Sequence, residues 1–587
     1  MQLVTKLKEK VNIESPLSGH PDPYWRRESF VSLNGKWEFE QNSEQSLPSN
    51  YSETIVVPFA VETSLSGINR RVSKGDFLHY KKEVLIPDGY VGKCAILRFM
   101  ASDQETTVYI NGEKRFYHEG GYSSFSILLE NLEKRTIIEV VVHDDTSSSK
   151  YARGKQRDDN SGIWYTPTSG IYQEVYLEFL SSPNYIESCR FTSDFSNKKI
   201  YFKGKIHGKI ENIDIKVLFK NDVVGEIKTD SSFKGEIDLS SSFNVWSPDD
   251  PNLYDVIISS KEDEVHSIAA FRELKTVTVN NRKYLLLNGK PIFLNGLLDQ
   301  GYYPDGGLTP PSVEAMENDI KLVKELGFNM LRKHIKIEPR RWYYLCDKYG
   351  IIVMQDLING GARYSQLLIN LAPFLPLKIS DKNPILGRIN DESKNQFKKE
   401  LQETVDELYN VPSILIWTLF NEGWGQFDTK DCYEMLKIED PTRLIDATSG
   451  WYDKKLGDFY SRHIYFRPIH LRNDKKRVMA LTEFGGYSKY IENHSYSEKT
   501  FGYKNYKDLE QLQIGLTHLY EKEVIRAIKK SSLSIAVYTQ LTDVEEEVNG
   551  LITYDRAVLK ISKEKFRDIN NNLYSEYEKK YLEEIKK

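Results

Sequence analysis

The sequence is short of cysteine, of long apolar runs and of basic charge. Its four cysteines are widely separated and form no CxxC or Cys/His cluster: Cys94, Cys189, Cys346 and Cys432. This pattern disfavours a zinc site or a disulfide scaffold, and it predicts buried thiols in a reducing compartment. No stretch reaches the roughly 18 apolar residues that a membrane-spanning helix requires. A membrane protein and a disulfide-stabilised module are therefore not expected.

The charge balance bears on the partners of the protein. Lys and Arg number 80 and Asp and Glu 85, for a net charge of −5, whereas nucleic-acid binding usually needs a basic excess. The first ten residues contain no apolar segment of the kind that directs secretion. We therefore expect a cytoplasmic protein without nucleic-acid or membrane partners, although a chain from which a signal had been removed would look the same. Homo-oligomer formation is left open.

The 587 residues are too many for one hydrophobic core, and their patterns predict three units. Residues 1–181 contain short alternating segments and the hairpin dipeptides Asn34-Gly35 and Asn111-Gly112, which favour a jelly-roll β-sandwich. Residues 182–277 are similar but shorter, and they predict an immunoglobulin-like sandwich. Residues 278–587 alternate apolar strands with amphipathic helices, which is typical of a (β/α)8 barrel.

Eight strand candidates support the barrel. They are Pro291–Gly296, Asn329–Arg332, Ile351–Gln355, Ile414–Phe420, Leu444–Ala447, His463–Phe466, Val478–Leu481 and Ile535–Gln540. Helical periods fall between several of them, at Pro311–Leu326, Pro339–Lys348 and Ser393–Tyr409. Ile561–Lys587 is expected to be the closing helix. Eight such alternations are what this architecture requires.

Two glutamates stand where predicted barrel strands end in glycine-containing loops. Glu422 follows the apolar run that ends at Phe420, and Glu483 follows Val478–Thr482. Side chains at the carboxyl ends of barrel strands face the active site, so these two are expected to meet. Glycoside hydrolysis with retention needs two carboxyls about 5–5.5 Å apart, one neutral and one ionised. The alternative, a pair of solvated strand-end side chains, is disfavoured because both share this context.

Short motifs along nearly the whole chain carry a family resemblance. In the N-terminal part they are Leu33–Phe39, Val57–Phe59, His79–Lys82, Thr107–Gly112, His118–Phe125 and Gly170–Val175. In the barrel they are Leu287–Pro291, Gly327–Arg332, Leu345–Ile351, Asn421–Trp424 and Thr482–Gly486. Each is weak alone, but in this order and spacing the chain resembles the family 2 glycoside hydrolases, which include β-galactosidases, β-glucuronidases and β-mannosidases.

The resemblance implies a role for each residue at the predicted site. Glu422 is expected to be the general acid/base and Glu483 the nucleophile. Asn421 would hydrogen-bond the sugar 2-hydroxyl, a contact that strengthens in the transition state. Arg332 would keep Glu483 ionised, although an ordinary ion pair at the barrel rim is an equal alternative. Tyr465 is a candidate donor to Glu483 or else an aromatic residue of the barrel core.

Three departures from the family pattern concern the sugar. Many members carry an aspartate seven residues before the isoleucine that corresponds to Ile171, and here that position is Trp164. On the eighth strand many have Trp-Asn or Trp-Asp, whereas this chain has Tyr-Thr-Gln540. The usual Arg-x-x-His motif is shortened and ends at His334. The sugar-binding subsite is therefore expected to differ from that of the best-known members.

Uronides are expected to be poor substrates. The Asn-x-Lys pair with which β-glucuronidases grip the sugar carboxylate has no clear counterpart, since the nearest region, at Asn549, contains no lysine. A buried carboxylate needs a paired cation. If uronides were nevertheless cleaved, the cation would have to come from elsewhere, and the loop Arg153–Arg157 is the candidate.

Two further side chains each allow a functional and a structural interpretation. His463 is a candidate substrate contact, but a lone histidine is more often structural. Trp424, two residues after Glu422, either stacks on the group that leaves or packs in the core.

We conclude from the sequence that the protein is an exo-acting retaining β-glycosidase without a cofactor or metal, with β-galactosides as the leading substrates. β-Glucuronides, β-galacturonides, β-mannosides and arabinosides are the alternatives within the family. A non-catalytic carbohydrate-binding protein is disfavoured because both glutamates are present. A metal-dependent barrel hydrolase is disfavoured because His334 and His463 look like isolated histidines at the strand ends.

Overall fold

A computed structural model describes residues 3–365, 368 and 379–587. Its C-terminal half is built on one parallel sheet of eight strands: β23 (Leu294–Asp299), β24 (Met330–Lys333), β25 (Ile352–Asp356), β26 (Ile414–Thr418), β27 (Leu444–Asp446), β28 (Phe459–Ile464), β29 (Val478–Phe484) and β32 (Leu533–Tyr538). Their spatial order is β27-β26-β25-β24-β23-β32-β29-β28. The predicted (β/α)8 barrel is thereby confirmed.

The barrel is nearly closed, since a strand ladder joins every neighbouring pair except β27 and β28. Asp458, just before β28, bridges this gap. Its amide donates to the Ile445 carbonyl (2.9 Å), and its carboxylate accepts from the Ile445 amide (2.8 Å). All eight carboxyl ends therefore surround one mouth, where both glutamates lie.

The predicted bounds of the first and sixth barrel strands were wrong. The first begins at Leu294 rather than Pro291, because Lys290–Pro291 forms a short strand of its own (β22). The sixth is Phe459–Ile464 rather than His463–Phe466. It borders the gap beside β27, so alternate residues are half-buried and no continuous apolar run marks it.

Seven α-helices lie in the described part of the chain. They are α1 (Val313–Glu325), α2 (Arg340–Tyr349), α3 (Asp391–Leu408), α4 (Thr429–Glu439), α5 (Leu509–His518), α6 (Ile525–Ser531) and α7 (Lys563–Lys586). A π-helix, Leu519–Val524, joins α5 to α6. The ends of α1, α2, α3 and α7 agree with the predicted helices to within two residues. Side chains of Ser312, Asn390, Asp508 and Ser562 cap four of the helices.

The N-terminal region is a sandwich of two antiparallel sheets. One contains β1 (Phe30–Ser32), β12 (Val175–Leu180), β5 (Cys94–Phe99) and β9 (Phe125–Leu129). The other contains β3 (Glu53–Val57), β2 (Gly35–Asn42), β4 (Phe77–Leu85), β10 (Arg135–His143), β7 (Glu105–Ile110) and β8 (Glu113–Glu119). A small ladder joins β6 (Ser102–Asp103) to β11 (Gly170–Ile171). The inward faces enclose Trp37, Phe39 and Leu97.

A second sandwich follows, with its own core around Phe191, Ile215 and Val256. One sheet is β13 (Tyr185–Asp194), β14 (Lys199–His207) and β17 (Lys234–Asp238), and the other is β16 (Asp222–Asp230), β15 (Asn212–Phe219), β18 (Tyr254–Ser259) and β19 (Glu264–Ala269). Then β20 (Leu274–Val279), β21 (Arg282–Leu287) and β22 lead into the barrel. A short ladder joins β30 (Tyr487–Ser488) to β31 (Lys504–Asn505). The exact domain boundaries stay a prediction.

A loop of the first sandwich reaches the mouth of the barrel. The amides of Arg153 and Gly154 both donate to the carbonyl of Asn359, which lies just after β25 (3.0 Å each). Farther along, the Thr166 amide donates to the Glu545 carboxylate in the loop after β32 (2.8 Å). The segment between these two anchors therefore crosses the carboxyl ends of the barrel strands.

The four cysteines are free and buried, as expected. Among the described helices there is none with the length and apolarity of a membrane span.

Candidate active site

Glu422 is presented by a turn that follows β26. Its φ of +52° lies in the left-handed region, which a residue with a side chain seldom adopts. Its amide donates to the Ser449 carbonyl (2.9 Å). Gly423 comes next, also with a positive φ, and a Cβ there would lie 2.1 Å from the Tyr452 ring. The tight turn places the Glu422 carboxyl in hydrogen-bond contact with His463, and backbone strain of this kind is typical of functional sites.

Glu483 lies within β29 and is held by two donors. Arg332, on β24, donates from Nη1 to one carboxylate oxygen (3.0 Å). Tyr465 donates its hydroxyl to the other (2.5 Å). Tyr465 is itself stacked on Tyr503, with ring centroids 4.0 Å apart and 5° between the planes. Both oxygens of Glu483 are therefore oriented by buried groups.

The two carboxyls have pKa values that move apart. Burial disfavours ionisation of Glu483, but His463 and Arg332 outweigh it and lower the pKa of that carboxyl to about 2. Burial raises the pKa of Glu422 above its ordinary value, and the charge of Glu483 adds to this against the opposing effect of His463. The arrangement thus favours an ionised Glu483 beside a protonated Glu422.

His463 lies between the two glutamates. Its Nδ1 is 2.8 Å from Glu422 and its Nε2 is 3.6 Å from Glu483, while Nε2 is also 3.0 Å from the Ser449 hydroxyl. One oxygen of each carboxyl and one ring nitrogen of His463 all lie within 4.8 Å of one another. The spacing would admit a cation, but Arg332 and Tyr465 already engage both oxygens of Glu483, so acid/base chemistry is the better interpretation.

The sequence interpretation of His334 and His463 as isolated histidines was wrong. Each is hydrogen-bonded to a carboxylate, His463 to Glu422 and His334, through Nδ1, to Asp356 (2.8 Å). Burial lowers the pKa of His334 to about 4. Two imidazoles that are hydrogen-bonded to carboxylates therefore line the mouth, whereas the sequence showed only two unrelated positions.

Arg332 is fixed by a residue that the sequence did not single out. Asp356, the last residue of β25, accepts from its Nε and Nη2 (2.9 and 3.0 Å). Nη2 also donates to the Asn421 side-chain oxygen (2.8 Å). The signal was available, because Asp356 is a charged residue directly after a predicted buried strand, and both glutamates follow such strands within two residues.

The side-chain amide of Asn421 is hydrogen-bonded to described residues through its oxygen but not through its nitrogen. Its oxygen accepts from Arg332, so its amide nitrogen is fixed in orientation. That nitrogen is buried and has no hydrogen-bond partner among the described residues. A buried donor without a partner is costly, so it is available to a substrate hydroxyl.

Gln540 is not joined to the glutamates by a hydrogen bond. Its side-chain nitrogen donates to Asn549 (2.8 Å), and Asn549 donates to Glu547 (3.2 Å). Glu547 in turn accepts from the Tyr165 hydroxyl of the sandwich loop. Gln540 therefore belongs to a polar chain that ties the loop after β32 to the sandwich.

Three aromatic rings lie together on the Glu422 side of the mouth. Trp164 of the sandwich loop is 5.1 Å from Trp424 and 5.9 Å from Tyr364 between centroids. The structure thus brings the sequence candidates Trp164 and Trp424 into contact. The Trp164 ring nitrogen is buried and has no partner in the described ranges. We call Trp164, Tyr364 and Trp424 the aromatic cluster.

A family model for the TIM barrel domain of glycosyl hydrolases family 2 matches residues 277–570. The chain belongs to glycosyl hydrolase family 2. Among its relatives, a β-galactosidase of Leuconostoc mesenteroides is 24% identical over 65% of this chain and 36% of its own length. A β-glucuronidase of Streptococcus agalactiae is 24% identical over 66% of each chain. The chain thus spans little more than a third of the length of the first relative and about two thirds of that of the second.

Solved structures of glycosidases share the fold over almost the whole chain. A β-galacturonidase from Eisenbergiella tayi has a TM-score of 0.68 at 19% identity, with 94% of this chain and 97% of that chain covered. A β-D-glucuronidase from Dictyoglomus thermophilum has a TM-score of 0.71 at 19% identity, with 94% and 98% covered. At this identity the likeness establishes the fold alone. It extends through both sandwiches and the barrel.

Proposed function

We propose that this family 2 member is a retaining exo-β-glycosidase that acts by double displacement. The observation that carries the proposal is the pair Glu422 and Glu483, with one oxygen of each within 4.8 Å and with pKa values displaced in opposite directions. Retention needs a separation of about 5–5.5 Å, whereas inversion needs roughly 6.5–9.5 Å to admit a water. The short separation therefore favours retention.

In the first step Glu483 attacks the anomeric carbon and Glu422 protonates the leaving oxygen. Arg332 and Tyr465 keep the Glu483 carboxylate ionised and oriented, so its reactive oxygen is positioned before substrate arrives. The free amide hydrogen of Asn421 would meet the 2-hydroxyl. In the second step Glu422, now a carboxylate, removes a proton from water as that water attacks the glycosyl ester.

For the sugar we propose a terminal β-linked residue of galacto configuration. Support comes from the relatives named β-galactosidase, among them those of Leuconostoc mesenteroides and Lactococcus lactis. A relative named β-glucuronidase and a neighbour named β-galacturonidase keep the uronides as the second candidate.

The test is a panel of 4-nitrophenyl β- and α-glycosides assayed on the pure protein, with the anomer of the first product followed by proton NMR. We expect turnover of one β-glycoside series with the β-anomer released first. An α-anomer as first product would contradict the double displacement. Hydrolysis of α-glycosides alone would contradict the proposal that the protein cleaves β-linked sugars.

A further inference from the structure

One buried lysine at the mouth of the barrel lacks an acidic partner. Four lysines are buried among the described residues: Lys155, Lys333, Lys336 and Lys560, with Lys155 at 6% exposure. Lys333 pairs with Asp299 and Glu338 (2.5 and 2.7 Å), Lys336 with Glu338 (2.9 Å) and Lys560 with Asp543 (2.7 Å). Of these four lysines, Lys155 alone forms no ion pair with a described residue.

Lys155 comes from the sandwich loop but lies at the catalytic residues. Its ammonium is 4.7 Å from the centre of the Trp424 ring and 5.6 Å from that of Trp164. Trp424 is two residues after Glu422. The charge of Lys155 favours the ionised form of both Glu422 and Glu547, and it opposes protonation of His334. These three groups come from different sides of the mouth, and the ammonium acts electrostatically on all of them.

The neighbours of Lys155 do not neutralise it. Glu547 feels the charge of Lys155, but its carboxylate is already bonded by Tyr165 and Asn549, and burial raises its pKa above the ordinary value. Glu422 has a raised pKa as well. Stacking against indole rings stabilises a cation only in part, and a largely buried lysine without a counter-ion is costly.

The other cations of the loop are occupied differently. Arg153 donates to the backbone carbonyls of Gly361 and Ala362 and lies over the Tyr364 ring. Arg157 donates to the Asp159 carboxylate (3.0 and 3.1 Å) while lying over Trp164. Both guanidiniums therefore help to shape the aromatic cluster, and Lys155 is left as the cation free to meet a ligand.

We propose that Lys155 is the specificity-determining residue that binds a carboxylate carried by the substrate. The inference rests on the proposed function in that the bound molecule is a glycoside. Uronides were expected to be poor substrates because the region at Asn549 contains no cation for the sugar carboxylate. Under this proposal the loop Arg153–Arg157 supplies that cation. A substrate carboxylate would form with Lys155 the charge-assisted hydrogen bond that no described acidic residue provides.

Two matched substrate pairs locate the carboxylate. The first pair is 4-nitrophenyl β-galactoside and 4-nitrophenyl β-galacturonide, which differ only at C6. The second is 4-carboxyphenyl β-galactoside and its methyl ester, which differ only in the leaving group. For one pair, Lys155→Met should lower the ratio of kcat/KM for the carboxylate form to that for the neutral form at least about tenfold. The pair that responds identifies sugar or leaving group as the source.

Controls separate binding from positioning. Lys150→Met is the matched variant, because that lysine, five residues earlier, is already paired with Glu119 (2.7 Å); it should leave both ratios as in the wild type. Lys155→Arg, which keeps the charge, should restore most of the ratio. If Lys155 acted only through Glu422, Lys155→Met would shift the alkaline limb of the pH profile for all four substrates and change neither ratio. Unchanged ratios in both pairs overturn the proposal.

A binding measurement keeps this inference distinct from the proposed function. Titration calorimetry with galacturonate and with 4-carboxyphenyl β-thiogalactoside requires no turnover. One of these ligands should bind Lys155→Met at least about tenfold more weakly than wild type, while galactose binds both proteins alike. Weakened binding in a protein that hydrolyses no glycoside would remove the proposed function and keep this inference. Equal binding of both carboxylates by wild type and variant overturns it, whatever the activity.

Discussion

The two glutamates at the mouth are held in different ways. Glu483 lies within a strand, and a guanidinium and a phenol bond its two oxygens. Glu422 lies on a left-handed turn beyond its strand, and its side chain is bonded by one imidazole. The first environment stabilises a fixed carboxylate, whereas the second leaves a carboxyl that can gain and lose a proton. The difference predicts which glutamate is the nucleophile and which is the acid/base.

Glu483→Gln should have the largest effect on activity, because it removes the proposed nucleophile. An amide cannot form the glycosyl ester, so we expect kcat on any substrate to fall at least about 10⁴-fold, by analogy with the loss of other catalytic nucleophiles. Circular dichroism and the Tm should stay close to those of the wild type, because the amide can still accept from Arg332. Substantial residual turnover in a folded variant would place the nucleophile elsewhere.

Glu422→Ala should show an effect that depends on the leaving group. A dinitrophenyl glycoside needs little proton donation, so stopped-flow measurements should show fast release of dinitrophenol followed by slow hydrolysis of the intermediate. Loss of the general base should slow that second step about 10²–10⁴-fold.

Azide sharpens the same experiment. It fits the space left by Glu422 and needs no base, so it should restore turnover and give the β-glycosyl azide after two inversions. An α-azide product would indicate a single inversion with Glu483 as base. Normal activity of Glu422→Ala on unactivated disaccharides, without any azide effect, would remove Glu422 from the acid/base role.

Tyr465→Phe tests the grip on Glu483 and should have a moderate effect. One of the two donors to the carboxylate is lost, so its pKa should rise from about 2. In the wild type kcat/KM should increase as Glu483 ionises and decrease as pH rises through the pKa of Glu422. The variant should move the acidic limb upward, leave the alkaline limb in place and lower kcat/KM roughly tenfold. A shifted alkaline limb alone would contradict the assignment.

Trp164→Ala should have the smallest effect. If Trp164 narrows the sugar-binding subsite, its removal should lower kcat/KM about fivefold, equivalent to about 1 kcal/mol, through a lost stacking contact. Tyr364→Ala, in the same aromatic cluster, is the control for packing. Kinetics of Trp164→Ala on the best substrate equal to those of the wild type would show that this residue only packs.

The strand ends were predictable from sequence because burial and barrel topology act locally. An apolar run followed by a carboxylate located Glu422 and Glu483, and the same rule extends to Asp356. The predicted bounds of β28 were wrong because this strand borders the gap in the barrel and mixes buried with half-buried residues. The sequence indicated the loop Arg153–Arg157 but not Lys155 within it, since the position of that side chain depends on how one domain's loop crosses another domain's barrel. The lack of an acidic partner for Lys155 becomes evident only by comparison with the other buried lysines of the described ranges, each of which forms an ion pair.

The central claim, that Glu483 is the nucleophile of a double displacement, is tested most directly by covalent labelling. The enzyme is incubated with a 2-fluoro glycoside of its best sugar, digested and analysed by mass spectrometry. The fluorine slows hydrolysis of the glycosyl ester, so the intermediate accumulates. The account predicts one added fluorosugar, on the peptide that contains Glu483, together with loss of activity that recovers as the ester turns over. A label on a peptide without Glu483 would contradict it.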